Sequence, residues 1–174
     1  MKKILALTLV LVMIAGCGAT SLKLGLGTVT TVKGSAAAAD KAGSTQADVT
    51  VVAGTFDANG KIVNVYVDCV QAKASIAVDG TVTPATDVKS KKELKDDYGM
   101  RKASAIGKEI HEQYEALEKY MIGKKVSDVL AMPTYDKGDG SHTAVPDVAE
   151  LKSSCTITIG DYLKALEKAY ANAK

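Results

Sequence analysis

The sequence is poor in aromatic residues, because tryptophan is absent and phenylalanine occurs once, at Phe56. A hydrophobic core cannot therefore rest on large rings, and we expect valine, isoleucine, leucine and alanine to build it. From Cys17 to Lys174 the chain has the length of one ordinary domain with a short tether.

Cysteine is also scarce, with Cys17, Cys69 and Cys155 as its three occurrences. If Cys17 is modified, the other two are too few for a disulfide framework. Either Cys69 and Cys155 pair in an oxidising compartment, or they stay apart as two small buried side chains.

A basic excess is missing as well. The chain has 22 basic and 20 acidic residues, and two of the basic ones, Lys2 and Lys3, lie in a segment that we predict to be removed. The remaining chain is balanced and has no basic cluster. This composition excludes nucleic acid as a partner.

The motifs of common enzyme classes are absent: the sequence has no Gly-x-Ser-x-Gly elbow, no phosphate-binding Gly-Lys-Ser/Thr loop and no dinucleotide fingerprint. His111 and His142 lack zinc-ligand spacing. Asp136, Asp139 and Gly140 resemble half of a calcium loop without its later acidic ligand. No metal site is predicted, and we expect the protein not to be an enzyme by itself.

The N-terminus has the pattern of an export signal. Lys2 and Lys3 precede an uncharged apolar run, residues 4–14, which ends at Ala15, Gly16 and Cys17. The run is shorter than the roughly 20 residues that a bilayer-spanning helix needs. We therefore predict that residues 1–16 are a signal peptide.

The four residues 14–17, Ile-Ala-Gly-Cys, resemble the lipobox of bacterial lipoproteins. This resemblance implies that the Cys17 thiol receives diacylglycerol, with acyl chains such as palmitate, and becomes the anchored N-terminus. The protein would then lie on the extracytoplasmic face of a cell membrane. The alternative is an ordinary secreted protein in which Cys17 is a free thiol.

The first half of the chain is rich in β-branched residues. We read residues 17–27 as a tether, residues 28–33 as a short strand and residues 34–44 as a loop, so that one domain occupies residues 28–174. Two valine-rich strands, residues 47–56 and 61–71, flank a turn whose Asn59-Gly60 pair suits a tight hairpin. A further short strand is predicted at residues 75–78, before Asp79 and Gly80. The second long strand is expected to place four side chains on one face: Val63, Val65, Val67 and Cys69.

The second half has helical patterns. After a charged surface stretch at residues 89–101, an apolar stripe predicts a helix that Gly123 ends. A brief helix through Leu130 and Ala131 is expected to be capped by Ser127, and a polar loop follows at residues 134–143. The last helix is amphipathic. The stripes consist of Ile106, Ile110, Tyr114, Leu117 and Met121, and of Tyr162, Leu163, Leu166 and Ala169 or Tyr170. Strands followed by helices predict an α+β fold with an antiparallel sheet and helices on one face.

Two segments, DANGKIVNVYVD at residues 57–68 and ELKSSCTITIGDYLKALEKA at residues 150–169, resemble the small FMN-binding domains of bacterial flavoproteins and of flavinylated lipoproteins in extracellular electron transfer. In that family an Asp, two variable residues and Ser-Gly-Ala-Thr form a motif whose Thr hydroxyl accepts FMN as a phosphoester. A dedicated transferase takes the FMN from FAD. The resemblance implies an FMN-binding α+β domain over most of the chain.

Residues 150–156 occupy the frame of this motif. Thr156 matches the acceptor and Ser153 matches the family Ser, whereas Glu150 stands in place of the Asp. Ser154 and Cys155 depart from Gly and Ala. If that Gly serves a positive φ angle, the Cβ of Ser154 costs about 1 kcal/mol. Residues 156–159 alternate polar and apolar, which also suits a strand, or a cap of the last helix by Thr158 or Asp161.

The resemblance implies a surface-anchored module that carries FMN, covalently at Thr156 or noncovalently, and relays electrons from a membrane redox donor. The FMN transferase would be its second partner. The alternative is a lipoprotein with a degenerate FMN-binding fold that binds another small ligand or a protein partner without redox chemistry.

Overall fold

The computed structural model describes residues 21–174, so the predicted signal peptide, Cys17 and the first part of the predicted tether lie outside the described residues. The strands are β1 (Lys23–Ser35), β2 (Gly43–Phe56), β3 (Ile62–Ile76), β4 (Val82–Pro84), β5 (Thr134–Tyr135) and β6 (Val145–Pro146). The helices are α1 (Lys91–Leu94), α2 (Ile110–Met121), α3 (Val126–Leu130) and α4 (Gly160–Ala171), with a 3-10 turn at Lys95–Tyr98.

The first four strands form an antiparallel meander in the order β1-β2-β3-β4, and β5 pairs separately with β6. The predicted hairpin between β2 and β3 is confirmed. Its turn is closed by the Asp57 carboxylate, which accepts the N–H groups of Asn59 and Lys61, each at 2.8 Å. Gly60 has a φ of +73°, the left-handed conformation that favours glycine.

One side chain of β3 points the other way from the prediction. Val65, Val67 and Cys69 are buried as expected, but Val63 is 43% exposed, and Ile62 is buried instead. The register shifts here, since Phe56 pairs with Ile62 while Thr55 pairs with Asn64. This β-bulge leaves Val63 unpaired and reverses the alternation at the start of the strand.

The strand β1 begins at Lys23, five residues before the predicted start, so the segment read as tether is partly sheet. Its glycines have a packing role, because a Cβ on Gly27 would lie 1.9 Å from the carbonyl oxygen of Ala165 in α4. Gly25 stands in the same relation to Ala169, at 1.8 Å. The small residues let the helix backbone lie directly on the strand. The strand predicted at residues 75–78 is the end of β3, with β4 beyond its turn.

Two helix starts differ from the prediction. Ile106 lies outside α2, which begins at Ile110 because Glu109 and Glu112 form a capping box. Ser127 is not the cap of α3; Lys125 holds that position, without a side-chain hydrogen bond. The end of α2 agrees with the prediction, since Gly123 has a φ of +86°.

The core lies between one face of the sheet and the helices α2 and α4. Buried side chains of β2 and β3 meet Tyr114 and Leu117 of α2 and Leu166 of α4. The α+β class with a four-stranded antiparallel sheet is therefore confirmed. Cys69 and Cys155 are both buried and free, so they remain two separate thiols. No helix within residues 21–174 is long and apolar enough to cross a membrane.

Candidate functional site

Residues 150–156, which we call the 150–156 turn, form a compact backbone turn ahead of α4. The carbonyl oxygen of Leu151 accepts the N–H groups of Ser154 at 3.0 Å and of Cys155 at 2.8 Å. The Leu151 and Cys155 side chains are buried and pin the turn to the core. The turn is thus a fixed part of the domain.

Thr156 is held by a residue of α2. Its backbone N–H donates to Oε1 of Gln113 at 2.9 Å, and its hydroxyl lies 3.5 Å from the same oxygen. Gln113 has no exposed surface. Its Nε2 donates to the carbonyl oxygen of Lys108 at 3.2 Å and to Oγ of Ser104 at 3.3 Å. A buried amide with every partner in place fixes Thr156 in position.

Two lysines bring positive charge to this place. Nζ of Lys137 donates to the carbonyl oxygen of Thr156 at 2.8 Å. Lys152, within the turn, forms an exposed ion pair with Asp147 at 3.4 Å. An anionic group beside the Thr156 hydroxyl would therefore meet at least one ammonium group.

A cleft of about 500 Å³ opens at Thr156. Its walls come from the β5–β6 ribbon and the 150–156 turn, and Tyr135 of β5 is 43% exposed there. The lining residues are Tyr135, Pro146, Asp147, Lys152, Cys155 and Thr156. The volume and the mixed lining are typical of small-molecule sites.

A second cleft, of about 490 Å³, lies on the other side of the 150–156 turn. Nζ of Lys124 sits over the Tyr120 ring there, 4.3 Å from its centroid. The lining residues are Ala116, Lys119, Tyr120, Ile122, Lys124, Glu150, Leu151 and Ser154. The 150–156 turn is therefore a wall between two clefts.

The structure divides the residues that the sequence singled out. Thr156 and Cys155 line the first cleft, Glu150 and Ser154 line the second, and Ser153 is exposed on the turn. Ser154 does not have a positive φ angle, so the expected backbone strain is absent. Its hydroxyl instead donates to the carbonyl oxygen of Glu150 at 3.2 Å.

The other interpretations of this segment are wrong. Residues 156–159 do not form a strand, although Ile157 and Ile159 are buried. The cap of α4 is Ile159, without a side-chain hydrogen bond, so neither Thr158 nor Asp161 caps the helix. The Thr158 hydroxyl donates to the carbonyl oxygen of Ser141 at 3.1 Å.

The thiol of Cys155 is not a reactive group. Burial raises the pKa of Cys155 to about 12, partly offset by a backbone hydrogen bond from Ile157. A protonated thiol is a poor nucleophile and a poor metal ligand. Cys155 therefore acts as a small core side chain beneath the cleft.

Metal ligands do not converge within residues 21–174, where no three His, Cys, Asp or Glu side chains form a site. The Asp139 carboxylate is used by its own loop, since it accepts the N–H groups of Ser141 and His142 at 2.9 and 2.8 Å. These bonds, with the adjacent His142 ring, lower the pKa of Asp139 to about 2. The half calcium loop is an ordinary turn.

Three residues of the site were not predicted from the sequence: Gln113, Lys137 and Tyr135. Gln113 stands three residues after Ile110 and four before Leu117, so its spacing places it on the buried stripe of α2. A glutamine on a buried stripe needs hydrogen-bond partners in the core, so its position in the sequence could have indicated a structural role. Lys137 and Tyr135 had no comparable signal, because the β5–β6 pairing brings them to Thr156.

The site therefore unites a partly buried threonine, a buried positioning amide, two lysines and a small-molecule cleft. The resemblance to FMN-binding domains rests on residues 57–68 and 150–169. No protein-family model, curated protein or solved structure matches this chain.

Proposed function

We propose that the protein is a lipid-anchored, extracytoplasmic electron-transfer module of the FMN-binding type, with FMN attached to Thr156. The observation that carries the proposal is the position of Thr156 at the mouth of the first cleft, inside the sequence frame of an FMN acceptor. Its backbone is bound on one side by Gln113 and on the other by Lys137.

The first cleft suits the chemistry of FMN. Its volume of about 500 Å³ lies within the usual range for small ligands. Lys137 and Lys152 supply the cations that a phosphate needs, and the exposed ring of Tyr135 offers an aromatic face for a flat ring system. FMN, when bound, supplies reversible uptake of electrons.

The chain's own residues position the attachment point. Gln113 and Lys137 bind the Thr156 backbone, so the position of its hydroxyl at the cleft is fixed. Attachment by an FMN transferase would form a bond between Oγ1 of Thr156 and the FMN phosphorus of FAD, while the pyrophosphate bond of FAD breaks, AMP leaves and the hydroxyl proton is released. The protein would then act as a carrier that receives electrons from a membrane redox donor.

The anchored location rests on the lipobox at residues 14–17. A thioether-linked diacylglycerol on Cys17 would hold the domain at the membrane through acyl chains. The protein would not need a spanning helix of its own.

A second candidate is a non-redox lipoprotein that binds a small ligand or a partner with a degenerate FMN-binding fold. The observation that favours it is the Ser154 hydroxyl, which is bonded to the Glu150 carbonyl where the family has a glycine without a side chain. This hydrogen bond lies within the turn and leaves the Ser154 hydroxyl unavailable to a phosphate.

The absorbance spectrum of protein co-expressed with an FMN transferase and FAD tests the proposal. We expect a flavin spectrum that survives denaturation in the wild type and is lost in Thr156→Val. Thr158→Val is the matched control, because it removes the same group two residues away. A flavin released by denaturation would support noncovalent binding, and a colourless protein would support the non-redox candidate.

A further inference from the structure

One end of the sheet exposes large apolar side chains that the core does not use. Leu22, Val63 and Ile122 are 51%, 43% and 43% exposed, and they line a shallow depression of about 400 Å³. We call these three residues the basal patch. Val63 is exposed because of the β-bulge, and Ile122 because it caps the end of α2.

The apolar surface continues from the basal patch onto the open face of the sheet. Leu24 and Leu26 are 65% and 56% exposed, and Tyr66 lies on the same face, since Leu26 and Tyr66 both pair with Ala53. Contiguous apolar surface of this kind usually marks a contact with a partner or a membrane.

Three lysines lie in or next to the basal patch: Lys61 lines its depression, and Lys124 and Lys125 directly follow Gly123, which lines the same depression. Lys61 and Lys125 are bridged through their backbones, and the carbonyl oxygen of Lys124 accepts the N–H of Ile62 at 2.9 Å. Within residues 21–174, no ion pair involves Lys61, Lys124 or Lys125. Asp57 also lines the depression, and its carboxylate is engaged by the backbone N–H groups of its own turn. Apolar residues among such lysines are complementary to an anionic lipid interface.

The position of the predicted lipid anchor also indicates that a membrane covers the basal patch. Cys17 stands five residues before Leu22, and five residues span at most about 18 Å when fully extended. An acylated Cys17 would therefore keep the basal patch within that distance of the lipid headgroups.

We propose that the basal patch and its lysines rest directly on the surface of a bilayer that contains anionic phospholipids. This inference relies on the proposed lipid anchor and adds a defined orientation to it. Ile122 and Lys124 also line the second cleft, whose opposite wall contains Ser154. The contact would thus place the 150–156 turn one cleft away from the membrane, on the side where a membrane redox donor would approach.

The absence of tryptophan from the sequence makes a direct test possible. Val63→Trp places a unique fluorophore in the basal patch, and Val82→Trp places one on β4, where Val82 is 58% exposed. Val82 pairs with Ile76, thirteen residues along β3 from Val63, which corresponds to roughly 40 Å at the strand rise. Ile122→Trp serves as a second patch variant if Val63→Trp does not fold.

Each full-length lipoprotein is purified with its lipid and reconstituted into vesicles of equal parts phosphatidylglycerol and phosphatidylcholine. A phosphatidylcholine spin-labelled near the headgroup is then added. We expect about twofold quenching and a blue shift for the patch tryptophan, and little quenching for Val82→Trp. Lys61→Glu with Lys124→Glu, or vesicles of phosphatidylcholine alone, should weaken the quenching of Val63→Trp.

Equal quenching of the two tryptophans in protein that carries its lipid would overturn the orientation and leave the anchor intact. A patch tryptophan that is shielded only at high protein concentration, without lipid quenching, would also overturn it, because a second copy would then cover the patch. A mature protein whose mass shows no acyl chains would refute the anchor and the orientation together.

Discussion

The amide oxygen of Gln113 accepts the backbone N–H of Thr156 at 2.9 Å, and this bond joins the first turn of α2 to the 150–156 turn. The same side chain satisfies the carbonyl of Lys108 on its other side. Gln113 therefore couples the position of the candidate attachment residue to the core of the domain.

Gln113→Met keeps the length of the side chain and removes all of its hydrogen bonds. We expect the free energy of unfolding to fall by about 2 kcal/mol, since the Thr156 N–H and the Lys108 carbonyl lose their partner. Urea denaturation followed by circular dichroism measures the loss. In Thr158→Val, which removes one exposed hydroxyl bond, the loss should stay near 0.5 kcal/mol. Similar losses in the two variants would show that Gln113 has no special structural role.

The close contact of β1 with α4 leads to a second prediction. Gly27→Ala adds a Cβ that would meet the backbone oxygen of Ala165, so the helix must move away. We expect a loss of about 2 to 3 kcal/mol in unfolding free energy. Gly160→Ala is the control, because its Cβ would make an ordinary 3.5 Å contact with Ala144. A Gly27→Ala melting temperature equal to that of wild type would contradict this packing.

Alkaline pH should destabilise the protein through Cys155. The thiol titrates near 9 when unfolded, and burial raises the pKa of Cys155 to about 12 in the fold. Below pH 9 the Cys155 thiol keeps its proton in both the folded and the unfolded chain, so its titration costs no folding stability. Between pH 9 and 12 the unfolded chain loses a proton that the folded chain keeps, so stability falls as pH rises.

Thermal melting at pH 8, 9 and 10 measures this fall, and Cys155→Ala should make it shallower. At pH 8 the native thiol should also resist an aromatic disulfide reagent that reacts fully after denaturation. Rapid modification of Cys155 in the native protein would contradict the inert, buried thiol.

The ion pair on the free edge of β3 gives a fourth stability test. Oε1 of Glu118 accepts the N–H of Val67 at 2.7 Å and pairs with Lys92 at 2.5 Å, with both side chains only 14% exposed. Glu118→Met leaves the Lys92 ammonium without its carboxylate partner, and we expect a loss of about 3 kcal/mol in unfolding free energy.

The double variant Glu118→Met with Lys92→Met removes both charges, so it should recover part of this loss. Chemical denaturation of the wild type, Glu118→Met, Lys92→Met and the double variant forms the cycle that measures the coupling. Additive losses would mean that the two charges do not interact across this edge.

The main elements could be predicted because their signals are local. The Asn59-Gly60 pair fixes the β2–β3 hairpin through backbone preference alone, and the apolar spacing of α4 fixes its buried face. The bulge at Val63 could not be predicted in this way, because the alternation of valines runs through it unchanged. It depends on how Phe56 and Ile62 meet across the hairpin.

The candidate site could be predicted only in part. The frame at residues 150–156 is contiguous in sequence, so its members were found together. Lys137 lies nineteen residues before Thr156 and is brought to it by the β5–β6 ribbon. Each strand of this ribbon has only two residues, which is too short for a periodic pattern in the sequence to predict it. The separation of Glu150 and Thr156 into two clefts also arises from tertiary packing.

The intact mass of the protein, after co-expression with an FMN transferase and magnesium, tests the central claim most directly. The account predicts one added FMN phosphoester, located at Thr156 by peptide fragmentation, absent in Thr156→Val and present in Thr158→Val. Ser154→Gly with Cys155→Ala should raise the modified fraction, because the smaller residues free the turn from the Ser154 hydrogen bond and let the backbone approach the phosphate. An unmodified mass in both the wild type and this restored variant would contradict covalent flavin attachment at Thr156.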